Sequence, residues 1–253
     1  TLLADPANIE SNFRAYLNGF SENMQDILDN FKFDIEITTM ADNDALFYVI
    51  QEFNKADAYL GPDKMTSTDM GYVFEELVRK FSESYNEEAG AHFTSRDIIY
   101  LMTDLLLIED KGTLFKEHVF KTVYDQTMGT SQMLSAMTER IHDVNDTAEV
   151  ATFGQELNPE TYAIAKADTM IRGGDPENMA LGSTLTSDQF EGFTFDYCIS
   201  NPPFGVDWKK DQKSVKAEHE LGELGRFGVG LPRVSDGQLL FLLNGISKLK
   251  ETG

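Results

Sequence analysis

The 253-residue sequence contains a single cysteine, Cys198. One thiol cannot build an intrachain disulfide framework, and its place in an apolar stretch fits a reducing cytoplasm. No Cys/His cluster has zinc-ligand spacing, so no metal site is expected. No apolar run approaches the length of a membrane span, so no membrane partner is expected either. Basic residues are scarce: 21 Lys and Arg face 43 Asp and Glu, for a net charge of −22. Phosphate neutralisation by Lys and Arg supplies most non-specific nucleic-acid affinity, so a body this acidic is a poor duplex binder by itself. The triple-glycine G-x-G-x-x-G fingerprint of dinucleotide sites is also missing. An apolar content of 41% with 11% aromatics nevertheless belongs to a folded globular chain.

What the sequence does have is Asn201-Pro202-Pro203-Phe204 behind Phe195–Ser200, an apolar and aromatic run that reads as a short buried strand. Two prolines forbid that strand to continue, because neither carries a backbone N–H and each fixes φ. A stiff turn at the carboxyl end of a strand is where open α/β sheets bind ligands. Asn201 and the Pro202 carbonyl supply two oxygen acceptors, and Phe204 supplies a flat apolar surface. That set suits an exocyclic amine on a planar ring, such as adenine N6. Two acceptors on its N–H bonds free the nitrogen lone pair, and a stacked ring fixes the plane for in-line attack. Taken alone, Asn-Pro-Pro also describes a plain surface turn.

Upstream, Lys121–Tyr124, Val150–Phe153 and Met179–Leu181 read as strands. Helices are expected from about Gln132 to Arg140 and from Pro159 to about Arg172. Strand, loop and helix in repetition argue for a right-handed, mostly parallel sheet. The loop after the first strand holds one glycine, Gly129, and the second strand ends at Glu156. A cofactor without a pyrophosphate does not need three glycines, and S-adenosylmethionine is such a ligand. Asp125 would suit its cationic end and Glu156 its ribose hydroxyls. A turn acid and a solvated loop acid are the plainer readings of these two residues.

The chain resembles the modification (M) subunit of type I restriction-modification systems, an adenine-N6 DNA methyltransferase. The resemblance rests on Met70–Leu77, Ala89–Thr94, Phe153–Pro159, Ser200–Gly205, Gly225–Gly228 and Ser235–Gly237. It implies an α/β fold with the Rossmann-like sheet of S-adenosylmethionine-dependent methyltransferases. Only four strands are visible, so a sheet truncated after the fourth strand, in a fragment of a longer subunit, is expected. The resemblance gives His92, Phe93 and Thr94 to the cofactor's methionine part. It gives Asp125, Thr127, Gly129 and Thr130 to the glycine loop, Glu156 to the ribose and Ser183 to the region of the adenine. Asn201, Pro202, Pro203 and Phe204 become the catalytic turn. Implied partners are DNA, a specificity (S) subunit, a restriction (R) subunit and a second M subunit. Ser95 departs from the family's proline. The family's Asp-Pro-x-x-Gly-x-Gly-Gly loop here reads Asp125-Gln126-Thr127-Met128-Gly129-Thr130-Ser131-Gln132. Two other readings stay open: a scaffold that lost cofactor binding through this loop, and a methyltransferase acting on RNA or protein amides.

Two parts are expected, a helical domain over 1–85 and a catalytic domain over 86–253. Phe13, Leu17, Phe20, Met24, Ile27 and Leu28 recur at helical spacing, as do Met70, Val73, Phe74, Leu77, Val78 and Phe81 after the cap candidates Thr66-Ser67-Thr68. Both stripes read as core. Gly205–Pro232 has no clear periodicity and is expected to be a mobile loop that orders on DNA. The following helix is expected to turn Leu239, Leu240, Leu242, Leu243, Ile246 and Leu249 toward the sheet. From Gly205 to Gly253, 8 basic residues meet 7 acids, so the preceding 204 residues carry −23.

Overall fold

In the computed structural model, residues 2–84 and 94–251 are described. The N-terminal part is helical as expected: α1 (Ile9–Leu17), α2 (Glu22–Asn30), α3 (Phe33–Asp42), α4 (Leu46–Phe53) and α5 (Ser67–Ser84). Thr66 and Asp69 start α5 by a reciprocal cap, each side chain accepting from the other's backbone N–H at 3.2 and 3.0 Å. The two apolar stripes are not the core they were expected to be. Ile27 alone of the first is fully buried, and Phe20, Val73 and Leu77 are exposed. The reason lies in how α5 docks. It approaches the sheet-bearing part through Gly71, where a Cβ would come within 2.7 Å of Arg172 Cζ. Glu75 pairs with Arg96 and Arg172, and Tyr72 receives both guanidinium groups at 5.4 and 5.9 Å from its ring centre. A charged and aromatic face therefore meets the domain, and the apolar stripe is left half outside. α2 is held by Asp26, which accepts from Tyr162 and from buried Lys166.

α6 (Arg96–Leu107) and α7 (Lys111–Leu114) lead into β1 (Phe120–Asp125). Then follow α8 (Gln132–Val144), β2 (Glu149–Glu156), α9 (Pro159–Ile171), β3 (Met179–Leu181) and β4 (Tyr197–Cys198). The strands form one wholly parallel sheet in the order β3-β2-β1-β4. Alternation along β1 divides two cores. Val123 and, from β4, Tyr197 join Ile99, Leu134, Met137 and Ile141 on one face. Tyr124 stacks on Phe195 at 4.7 Å on the other, beside Phe190 and Phe153. β4 is shorter than its expected span. Asp196 and Ile199 still bond to β1, but Phe195 turns to the opposite edge and bridges Leu249 in parallel.

Gly205–Pro232 differs from expectation more strongly. It contains α10 (Gln212–His219) and a core of its own, in which Trp208, Val215 and Phe227 pack with Leu185, Leu240 and Phe241. The periodicity was hidden because its buried residues stand far apart and are single. α11 (Gln238–Ser247) also turns differently: Leu240, Phe241, Asn244 and Lys248 face inward, while Leu239, Leu242 and Ile246 are exposed. Asn244 and Lys248 are buried because both are fully engaged, the first by Gln126 and Arg226, the second by Asp188 and the Phe190 carbonyl. No helix among the described residues is long and apolar enough to cross a membrane.

If 205–232 is packed in this way, Phe227→Ala costs about 3–5 kcal/mol, as for other buried aromatics. Chemical denaturation of the nucleic-acid-free protein measures it; an unchanged midpoint would restore the mobile-loop expectation.

Candidate functional site

The strand order reverses direction between β1 and β4, since β1 leads outward to β2 and β3 while β4 lies on its other side. Chains leaving the carboxyl ends of two such strands diverge and leave a crevice. A cavity of about 1050 Å³ opens there, at or above the upper end of the roughly 300–1,000 Å³ usual for ligand pockets. Asp125, Thr127, Gly129, Thr130, Glu156, Ser183, Thr94, Asn201, Pro202, Pro203 and Phe204 all line it. His92 and Phe93 lie outside the described residues.

The loop after β1 is drawn over the end of β2. Met128 N–H donates to the Gln155 carbonyl, and Gly129 N–H donates to Glu156 Oε2 at 3.0 Å. Glu156 Oε1 accepts from Asn158 N–H at 2.8 Å. A carboxylate has about four lone-pair sites, so Glu156 keeps capacity for a ligand's hydroxyls. Gly154 permits this closeness, because a Cβ there would meet Met128 Sδ at 2.2 Å. Gly129 and Ser131 are both left-handed, at φ 54° and 71°. Ser131 thus keeps the backbone turn for which the resembled family uses glycine, at a conformational cost on the order of 1–2 kcal/mol.

Asp125 is buried, its Oδ1 accepting from Thr127 N–H at 3.0 Å. Burial, and secondarily the charge of Glu156, push its carboxyl up to about 8, against the pull of the Thr127 N–H. The Thr127 hydroxyl is buried without a hydrogen-bond partner. Glu156 and an unsatisfied hydroxyl suit a ligand that carries hydroxyls, and a cation bound beside Asp125 would draw its raised carboxyl back toward the ionised form, which a pyrophosphate would not. S-adenosylmethionine has those features, and the residues present fit it.

The turn after β4 is held from two sides. Asn201 Nδ2 donates to Thr94 Oγ1 at 3.1 Å, which leaves the amide oxygen as the acceptor this side chain has to offer. Behind it, Gln126 Nε2 donates to Ser200 Oγ at 3.1 Å, and Gln126 Oε1 accepts from Asn244 at 2.7 Å. Arg226 donates to Asn244 Oδ1 and to the Thr184 carbonyl, and pairs with Glu218. Phe204 is 73% exposed, an unstacked ring at the cavity mouth. The sequence reading did not find Gln126, Ser200 and Asn244 as a connected set. The only available signal was Gln126 standing where the family pattern has proline.

Asp125 yields a pH-dependent prediction. Its folded carboxyl titrates well above the usual value, so the unfolded chain loses this proton first as pH rises. The strain of burial therefore grows from about pH 4 toward pH 8, and stability falls over that window. Asp125→Asn keeps the bond from Thr127 without the ionisation. Thermal unfolding should show the variant more stable than the parent at pH 7, by on the order of a few kcal/mol, with the gap closing near pH 4. Ser131→Gly should likewise gain on the order of 1 kcal/mol in the same assay, by relieving the left-handed strain.

Residues 66–253 match the family described as N-6 DNA Methylase. Among curated relatives, the type I restriction enzyme MjaIX methylase subunit of Methanocaldococcus jannaschii is 24% identical over 207 residues, covering 80% of this chain and 34% of that protein. The HindI methylase subunit of Haemophilus influenzae is 25% identical, covering 73% of this chain and 38% of its own length. The chain thus spans roughly a third of the length of these relatives. A solved type I restriction-modification methyltransferase subunit from Streptococcus thermophilus superposes with TM-score 0.50 at 30% identity, over 64% of this chain and 32% of that one. A class I S-adenosylmethionine-dependent methyltransferase described as putative, from Listeria monocytogenes, superposes with TM-score 0.56 at 16% identity, over 76% of this chain and 53% of that one, and supports the fold alone. The family match takes in the whole crevice, from Thr94 through the loop after β1 to the Asn201 turn, and the chain belongs to the N-6 DNA methylase family.

Proposed function

We propose that the chain transfers a methyl group from S-adenosylmethionine to adenine N6 in DNA, as the M subunit of a type I restriction-modification complex. The observation that carries this reading is the shared crevice: the Asn201–Phe204 turn lines the same cavity as Asp125 and Glu156. When bound, the cofactor supplies an activated methyl group on a positively charged sulfur. Asp125 and the Thr127 hydroxyl hold the cationic end, and Glu156 accepts from the ribose hydroxyls. Thr130 and Ser183 complete the walls, with His92 and Phe93 assigned by resemblance alone.

Adenine reaches the turn only after leaving the duplex stack, which costs a few kcal/mol. Phe204 offsets part of that cost, since stacking of a base on an aromatic ring contributes about 1–3 kcal/mol. Asn201 Oδ1 and the Pro202 carbonyl accept the two N6–H bonds, which draws the nitrogen toward a tetrahedral shape and frees its lone pair. The double proline keeps both oxygens in place during attack, and the departing proton goes to water. The left-handed Ser131 supports a working cofactor loop, since the backbone path survives the loss of glycine. The acidity of the first 204 residues supports a partner that reads the sequence and supplies positive surface. The helical part, residues 1–85, is assigned to contacts with that partner.

Asn201→Ala should lower methyl transfer by at least about 100-fold while leaving cofactor affinity within about twofold. Labelled methyl incorporation into DNA, RNA and protein, with and without a co-expressed specificity subunit, tests the whole reading. Incorporation into RNA or protein but not DNA would overturn it, as would a fully active Asn201→Ala.

A further inference from the structure

Charge pairing is distributed unevenly. In a chain with twice as many acids as bases, most described basic side chains are taken up by a carboxylate. Arg14, Lys121, Lys166, Arg172, Arg226 and Lys248 are examples. Lys209, Lys210, Lys213, Lys216 and Arg233 form no ion pair with a carboxylate among the described residues, although Lys210 acts on Asp211 through its charge and Lys216 donates to Gln212 Oε1 at 3.1 Å; outside this segment only Lys64 and Lys116 share that condition among described side chains. All five are exposed, and they lie on the segment that follows the Asn201–Phe204 turn. In a protein of net charge −22, free cations gathered in one place are not the default outcome of solubility.

Their mounting is rigid. Trp208 and Phe227 are 2% and 0% exposed, and Trp208 Nε1 donates to the Arg233 carbonyl at 2.8 Å, which fixes the two ends of the segment together. Val215 of α10 faces this small core, while Lys213 and Lys216, three residues apart on the same helix, are exposed. Lys210 lines the cavity with Asn201 and Phe204, so the basic group begins at the mouth of the crevice and runs outward along α10. Asp207 and Asp211 line the same mouth, but Asp207 is engaged by the Lys209 backbone N–H at 3.0 Å. A surface with preset cations and little side-chain ordering left to do favours phosphate contacts, each of which releases a counterion.

Resting on the methyltransferase reading above, we propose that Lys209, Lys213, Lys216 and Arg233 form a preorganised phosphate-binding edge. This edge carries the DNA strand flanking the extruded adenine, with Lys210 at the phosphate nearest the cavity. Nucleic acid orders nothing here; the lobe is folded beforehand, and the acidic remainder of the chain steers the duplex onto this edge.

The test uses the full chain, alone and with its co-expressed specificity subunit, and a duplex containing one target adenine. Lys209→Gln/Lys213→Gln/Lys216→Gln is compared with Lys32→Gln/Lys64→Gln/Lys116→Gln, which removes the same charge elsewhere. The first variant should flatten the plot of log affinity against log salt by about 2–3, at roughly 0.9 per lost phosphate contact. It should also weaken DNA binding at least about tenfold near 0.1 M salt, with S-adenosylmethionine affinity unchanged. The control variant should do neither. Equal slopes in the two variants would overturn the edge while leaving the methyltransferase reading intact, and so would a duplex bound with no salt dependence. Methyl transfer to RNA or protein in place of DNA would instead strike the functional reading, whatever the slopes.

Discussion

Asn244 is completely buried, and its two amide ends are fixed by Gln126 on one side and Arg226 on the other. Burying an amide costs free energy unless both ends find partners, so this residue makes the positions of three chain segments interdependent. Gln126 belongs to the loop after β1, and through its other end it reaches Ser200, the residue before Asn201. Arg226 belongs to the packed lobe and carries its bond from Glu218. The loop after β1, the Asn201–Phe204 turn and the lobe beyond it therefore share one polar spine. Breaking any link leaves a buried donor or acceptor unpaired, at about 1–3 kcal/mol. A looser attachment would let the turn drift, and a rigid double proline is of little use if the strand behind it moves.

The sheet and its order of elements were legible because their signals are local. The β-prone stretch Lys121–Tyr124 and the short apolar run Met179–Leu181 were readable as strands, and Pro159 marks the start of α9 with Asn158 capping it. Asp125, Glu156, Ser183 and Asn201, expected at the cavity, follow or end strands and do line it. What stayed hidden depends on distant partners. Asn244 and Lys248 are polar residues at inward positions, which no periodicity reveals, because partners distant in sequence (Gln126 and Arg226, Asp188 and the Phe190 carbonyl) make their burial tolerable. The stripe on α5 misled in the opposite direction: apolar spacing says that a face exists, not that it is covered. Trp208 and Phe227 are nineteen positions apart with charges and glycines between them, so the core they share could not be seen as a pattern.

Electrostatics shows a division of labour in one small region. The inner crevice holds two acids, and burial with the neighbouring Glu156 raises the Asp125 carboxyl, so a cation bound there would be the partner that ionises it. The outer rim carries Lys209, Lys213 and Lys216, none of them ion-paired to a carboxylate among the described residues. A ligand with a cationic sulfur and ammonium is favoured at depth, and a polyanion is favoured at the mouth. Both preferences would fail if the two sets were exchanged.

The same arrangement explains why the acidity of the whole chain does not contradict a role on DNA. Long-range repulsion between exposed charges is screened beyond about 10 Å at 0.1 M ionic strength, so acids farther than that from the rim act weakly on a polyanion held there. Repulsion closer in still matters, and it discourages non-productive contacts along most of the surface. Among the described residues the segment after Phe204 gathers more cations without an ion-paired carboxylate than any other, so on the proposed reading a duplex would be favoured in the orientation that brings a base to Asn201. Specificity for position thus comes as much from where charge is withheld as from where it is supplied.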